Sequence, residues 1–124
     1  MHIEHINISA PIVLLENVKT FYCDIFNLKE GFRPKFKRNG FWLYSEESAI
    51  LHLTESYEHN SSEGRSYLDH IAFQTTGLKI LLERLKYLNV EYTCGSLPEV
   101  GMTQVFFKDP AGLTIEVNFL SEAL

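Results

Sequence analysis

The segment His5-Ile6-Asn7-Ile8-Ser9 returns in character as His70-Ile71-Ala72-Phe73-Gln74, 65 positions further on. Side chains alternate faces along a strand, so His5, Asn7 and Ser9 oppose Ile6 and Ile8, while His70, Ala72 and Gln74 oppose Ile71 and Phe73. Both copies thus have one polar or small face and one apolar face. An offset this long points to a duplicated module. Each copy leads into apolar residues at three-and-four spacing: Val18, Phe21, Tyr22, Ile25 and Phe26 in the first, Leu78, Leu81, Leu82, Leu85 and Leu88 in the second. That spacing predicts an amphipathic helix with one buried stripe in each half.

Beyond the first helix, strands are expected at about Leu28 to Arg33, Gly40 to Tyr44 and Ser48 to Thr54, with Asn39-Gly40 and Glu46-Glu47-Ser48 as turn signals. Beyond the second lie Glu91 to Cys94, Met102 to Lys108 and Leu113 to Phe119, the last two joined by Asp109-Pro110-Ala111-Gly112, whose order suits a type I turn. Each half reads β-α-β-β-β. Module one spans about residues 1–55, a polar linker about 56–66, and module two about 67–120. The expected fold is α+β, a single domain of two tandem modules whose curved mixed sheets form a cup with the helices outside.

A chain of 124 residues, 45% of them apolar, can bury the core of one domain. The net charge of −5 is spread along the sequence, and the one basic cluster, Arg33 to Arg38, is interrupted by Pro34, so nucleic acid is a poor partner. No apolar run approaches the roughly 18 to 20 residues of a membrane span, and the first residues lack the regions of a signal peptide; a cytoplasmic location is expected. Cys23 and Cys94 lie far apart without CxxC spacing and read as reduced thiols.

The same alternation holds in the last strand of each half. His52 and Thr54 oppose Leu51 and Leu53, with Ile50 breaking the pattern, and Thr114, Glu116 and Asn118 oppose Ile115, Val117 and Phe119. His5 and His70 open equivalent strands, and His52 and Glu116 stand 64 apart at equivalent points. If the apolar faces meet the helices, three imidazoles and one carboxylate remain on the concave side, two from each module. Such a donor set suits zinc, nickel, cobalt, iron or manganese better than calcium or magnesium. An octahedral shell would keep two positions for water or for adjacent substrate oxygens. His2 and His59 fall outside this register and read as solvated.

Together, His5-Ile6-Asn7-Ile8, Phe21-Tyr22, Gly40-Phe41-Trp42-Leu43-Tyr44, Ile50-Leu51-His52-Leu53, His70-Ile71-Ala72-Phe73 and the run from Phe106 to Glu116 resemble the vicinal oxygen chelate superfamily of glyoxalases, bleomycin-resistance proteins and extradiol dioxygenases. Arg33-Pro34-Lys35-Phe36 before Gly40-Phe41-Trp42-Leu43 looks most like the lactoylglutathione-lyase-like branch. The resemblance implies a metal-dependent lyase or isomerase that acts on a small substrate with vicinal oxygens through a metal-bound enediolate. It implies His5, His52, His70 and Glu116 as metal ligands, Glu116 as general base and His52 as ligand or acid, although glyoxalase I carries a second glutamate where His52 stands. Zinc or nickel is favoured, with iron, cobalt and manganese as alternatives, and glutathione is a candidate part of the substrate. Arg33, Trp42, Gln104 and Phe106 are candidate substrate contacts. A homodimer is expected, since many relatives build each cup from two chains. The alternatives are a non-catalytic drug-binding protein of the bleomycin-resistance type and an extradiol-type dioxygenase using His5, His70 and Glu116.

Overall fold

The computed structural model describes residues 2–57, 68 and 70–124. Most of the expected linker, residues 58–66, and with it His59, lies outside them. The chain divides into two compact units, residues 1–65 and 66–124.

In the first unit β1 (Ile6–Ala10) leads into α1 (Ile12–Phe26), followed by β2 (Lys29–Gly31), β3 (Gly40–Ser45) and β4 (Ser48–Glu55). The sheet order is β1-β4-β3-β2, with β1 parallel to β4 and the other pairs antiparallel. The second unit repeats the plan with β5 (His70–Gln74), α2 (Leu78–Tyr87), β6 (Tyr92–Leu97), a 3₁₀ turn at Pro98–Val100, β7 (Met102–Lys108) and β8 (Thr114–Leu120), in the order β5-β8-β7-β6. The fold is α+β, two four-stranded mixed sheets with one helix each.

One face of each sheet is apolar. In the first unit Ile8, Ala10, Leu43, Leu51 and Leu53 are buried together with Leu15, Val18, Tyr22 and Ile25 of α1. The second unit buries Val105, Phe107, Ile115, Val117 and Phe119 on its strands and Leu78, Leu81 and Leu85 on α2. Burying one such side chain stabilises by roughly 1.5–3 kcal/mol. These stripes are what commit the opposite faces to polar residues.

Three local expectations are revised. β2 ends at Gly31 rather than Arg33, because Pro34 donates no N–H and disfavours ladder geometry around it. β6 runs on to Leu97 and stops where Pro98 begins the 3₁₀ turn. Gly40 is, as expected, the first residue of β3, and any Cβ there would collide with the Leu53 carbonyl. β1 starts at Ile6, leaving His5 just ahead of the ladder. The break in alternation at Ile50 has a simple origin: Leu43 faces Leu51 and Tyr44 faces Ala49, so Ile50 is the extra residue of a β-bulge.

Loop chemistry fixes both ends of β8. The buried Asp109 carboxylate accepts the Ala111 and Leu113 N–H groups, each at 2.9 Å, and the Asp109 carbonyl accepts the Gly112 N–H at 2.9 Å, closing the expected β-turn. Past β8, the Glu122 carboxylate takes the Gly77 N–H at 3.0 Å and the Leu78 N–H at 2.9 Å, serving as a remote cap for α2, whose own N-cap residue has no side chain. Exposed helix N–H groups and the helix dipole both favour a carboxylate there. Glu122→Ala is expected to lower stability by about 0.5–2 kcal/mol, the usual range for a lost cap, read as a fall in urea midpoint at unchanged slope; an unchanged midpoint would show the cap to be idle. Among the described residues no helix is long and apolar enough to cross a membrane, and Cys23 and Cys94 form no disulfide.

Candidate functional site

Register places the polar residues in transverse rows. In the first sheet Asn7, His52, Trp42 and Gly31 lie side by side across β1, β4, β3 and β2. In the second sheet the corresponding row is Ala72, Glu116, Phe106 and Thr93 across β5, β8, β7 and β6. His52 and Glu116 occupy the same place in their modules, as do Trp42 and Phe106. A cross-strand row shares one face, so these side chains are neighbours by construction.

The first unit brings His5, His52 and Trp42 into one column of rings. His5 stacks on His52 with centroids 3.8 Å apart, and Trp42 stacks on the other face at 4.0 Å, both at 11°. His52 is only 9% exposed. Its Nε2 lies 3.1 Å from the Ala49 carbonyl; a carbonyl only accepts, so Nε2 carries the proton and Nδ1 keeps its lone pair. By the same reasoning His5 Nδ1 donates to the Glu4 carboxylate at 3.0 Å and Nε2 keeps the lone pair. A ligating histidine commonly anchors its second nitrogen in this way. Burial holds the His52 pKa below its ordinary value, with the neighbouring His5 pushing the same way.

That shift has a sign. The unfolded chain takes a proton on His52 more readily than the folded one, so stability rises with pH across the window below about 6.5 and the contribution is lost as pH falls through the lowered folded value. Unfolding midpoints measured from pH 4 to 8 are expected to fall more steeply on the acid side in the wild type than in His52→Phe; parallel profiles would contradict this.

The second unit gathers His70, Gln104, Glu116 and Asn118. Asn118 Nδ2 donates to Glu116 Oε2 at 2.8 Å and Gln104 Nε2 reaches it at 3.4 Å, while Oε1 lies 3.7 Å from His70 Nε2. The Glu116 side chain is 14% exposed and that of His70 44%. Two amides therefore fix one carboxylate oxygen and leave the other turned to the imidazole. Asn118 was on the right face by alternation, yet its role in holding Glu116 was not foreseen; the spacing of two between them is the signal. Gln104 and Phe106 lie on this face, and Trp42, which a strand aromatic would more often lend to the core, belongs to the His52 face.

Among the described residues no three His, Cys, Asp or Glu side chains are gathered as a ready metal cluster. The donors come as two pairs, one in each unit. Two donors bound at about 2.1 Å to one ion lie roughly 3 to 3.4 Å apart, so the 3.7 Å between His70 and Glu116 closes with a shift of a few tenths of an ångström. The His5–His52 pair needs more. Lone pairs lie in the ring planes, and nearly parallel planes do not converge on one point, so one ring must turn for both to hold an ion. His5, 37% exposed and hydrogen-bonded to the exposed Glu4, is the ring with room to do so.

A groove of about 780 Å³ opens in the second unit between Val90, Tyr92, Thr93, Phe106, Lys108 and Thr114. Its walls include Thr93 and Phe106, the outer half of the Glu116 row, but neither His70 nor Glu116.

Comparison with known proteins follows the same lines. The sequence profile of the glyoxalase/bleomycin resistance protein/dioxygenase superfamily matches residues 2–117. No curated protein sequence matches the chain. Among solved structures, the chain is similar to a glyoxylase/bleomycin resistance protein/dioxygenase domain from Frankia sp. EAN1pec, at TM-score 0.81 and 20% identity over 100% of this chain and 95% of that one. It is also similar to a lactoylglutathione lyase from Agrobacterium tumefaciens, at TM-score 0.69 and 20% identity over 95% and 92%. A third is a variant of the fosfomycin resistance protein FosX from Listeria monocytogenes, complexed with Mn(II) and 1S,2S-dihydroxypropylphosphonic acid, at TM-score 0.73 and 20% identity over 96% and 92%. At these identities the likeness is one of fold.

Proposed function

Because the chain belongs to the glyoxalase/bleomycin resistance protein/dioxygenase superfamily, we propose that it is a metal-dependent lyase or isomerase for a small molecule with vicinal oxygens. In this reading His5, His52, His70 and Glu116 are the ligands, two from each module, meeting on one ion within a chain or across a homodimer. The carrying observation is the equivalence of His52 and Glu116 in their sheets, each beside a histidine at the head of its unit's first strand, His5 just ahead of β1 and His70 the first residue of β5. The donor chemistry fits a divalent ion: each first-unit imidazole has one nitrogen anchored and one lone pair kept, and Glu116 has one oxygen held by amides.

A bound divalent ion would act as a Lewis acid toward two adjacent substrate oxygens. The rest falls to the chain. Glu116, braced at Oε2 by Asn118 and Gln104, would act as the base when off the ion, taking a proton from one carbon and returning it to the next, a role that needs a carboxylate within reach of the C–H. Trp42 beside His52 and Phe106 beside Glu116, each in its own sheet, offer apolar surface to a substrate, and Gln104 orients the base. A lactoylglutathione-type adduct is the first substrate to try, supported by the Agrobacterium tumefaciens neighbour; zinc, nickel and manganese are the metals to try, manganese on the strength of the Listeria monocytogenes complex.

The ring column favours a second reading. A histidine stacked on both faces and bonded to a carbonyl also suits a packed, metal-free cup that binds a small molecule without turning it over. Metal analysis of protein purified without chelator separates the two. One retained ion per chain, with turnover of the methylglyoxal–glutathione adduct, is the enzyme's result; no ion and no turnover is the binding module's.

A further inference from the structure

Arg33 sits in the one basic stretch of an acidic chain, and its guanidinium is placed with unusual care. Nη2 donates to the Arg38 carbonyl at 3.1 Å, and Cζ lies 4.8 Å from the centroid of the Phe36 ring. Phe36 in turn approaches Trp42, with centroids 6.2 Å apart, and Trp42 stacks on His52. A Cβ on Gly40 would come within 3.0 Å of Arg33 Nη2, so the guanidinium lies over the side of Gly40 that a side chain would fill. Gly40 and Trp42 alternate along β3 and share a face, which puts this cation on the His52 side of the sheet.

One group in this arrangement is unsatisfied. Arg33 Nε is buried and has no hydrogen-bond partner among the described residues. A buried N–H on a cation is costly to leave unpaired, and with no exposed surface of its own Nε meets a partner when the Arg33 side chain turns outward. Nε and an Nη of one guanidinium form the fork that grips two oxygens of a carboxylate or phosphate. Lys35, Lys37 and Arg38 are exposed around it and add positive potential for an approaching anion.

We propose that Arg33, laid over Gly40 beside Trp42 and His52, is the seat of an oxyanion, so that the substrate carries a carboxylate, phosphate or phosphonate next to its vicinal oxygens. This rests on the reading of the His52 face as the substrate side, and it narrows that substrate to an anion. Lys35, Lys37 and Arg38 steer; Arg33 holds.

The test uses Trp42, the chain's single tryptophan, as reporter in the full-length protein, titrated with inorganic phosphate, methylphosphonate and acetate at fixed ionic strength. A saturable fluorescence change is expected in the wild type. Arg33→Gln should weaken it at least about 10-fold, the scale of a lost charged hydrogen bond, with Arg33→Lys in between because it keeps the charge and loses the fork. Arg38→Gln keeps the backbone carbonyl and should alter affinity mainly through its salt dependence. The stronger of acetate and the phosphorus anions identifies the oxyanion. No saturable change, or equal weakening by Arg33→Gln and Arg38→Gln, would overturn the seat. Metal content measured on the same samples keeps the two readings apart: Arg33→Gln should retain the wild-type metal stoichiometry, whereas anion binding that persists in a wild type unable to hold metal would sink the enzyme reading and leave the anion seat standing.

Discussion

His70→Ala and Glu116→Ala are each expected to weaken divalent metal binding by at least about 100-fold, since even partners that merely orient a ligand are worth 10- to 100-fold. The expectation comes from geometry: the two groups face each other at 3.7 Å, and Asn118 and Gln104 fix the carboxylate from behind. Glu116→Gln is the sharper variant, because it keeps the volume and the amide contacts and removes only the charge and a donor oxygen. Isothermal titration with zinc, nickel and manganese, alongside metal content after dialysis, measures it. Metal retained at full stoichiometry in both alanine variants would remove the site as drawn. Phe32→Ala, exposed and outside the rows, should bind as the wild type does.

Phe119→Ala should destabilise the protein by about 3–5 kcal/mol, with a urea midpoint lowered by more than about 1 M for a slope near the usual range of small domains. Phe119 is wholly buried on the apolar face of β8, whereas Leu120, the next residue on the same strand, is 44% exposed on the opposite face. Leu120→Ala is therefore expected to stay within about 0.5 kcal/mol. The contrast tests the face assignment on which the Glu116 row depends, since Phe119 and Glu116 have opposite parity. Equal losses from the two substitutions would show that β8 does not present its sides as described.

Much of this was legible from the letters. Alternation in His5–Ser9 and His70–Gln74, with the helical spacing behind each, carries the two-module plan because period two and period 3.6 are fixed by backbone geometry. Alternation also set His52, Glu116 and Asn118 opposite the buried Leu51, Leu53, Ile115, Val117 and Phe119. What it missed was set by contacts between distant residues. Nothing local in Glu122 announces that it caps α2, whose first residue lies 44 positions earlier. The stacking of His5 on His52 depends on side-chain rotation, which periodicity does not determine.

The bulge at Ile50 keeps two halves of one strand out of phase. The hairpin on one side and the His52 row on the other each count their own alternation, and the surplus residue absorbs the mismatch. A one-residue difference between the turn and the rest of β4 is thus taken up without swinging the imidazole into the core. The side on which His52 emerges is in this way insulated from the tight connection before it.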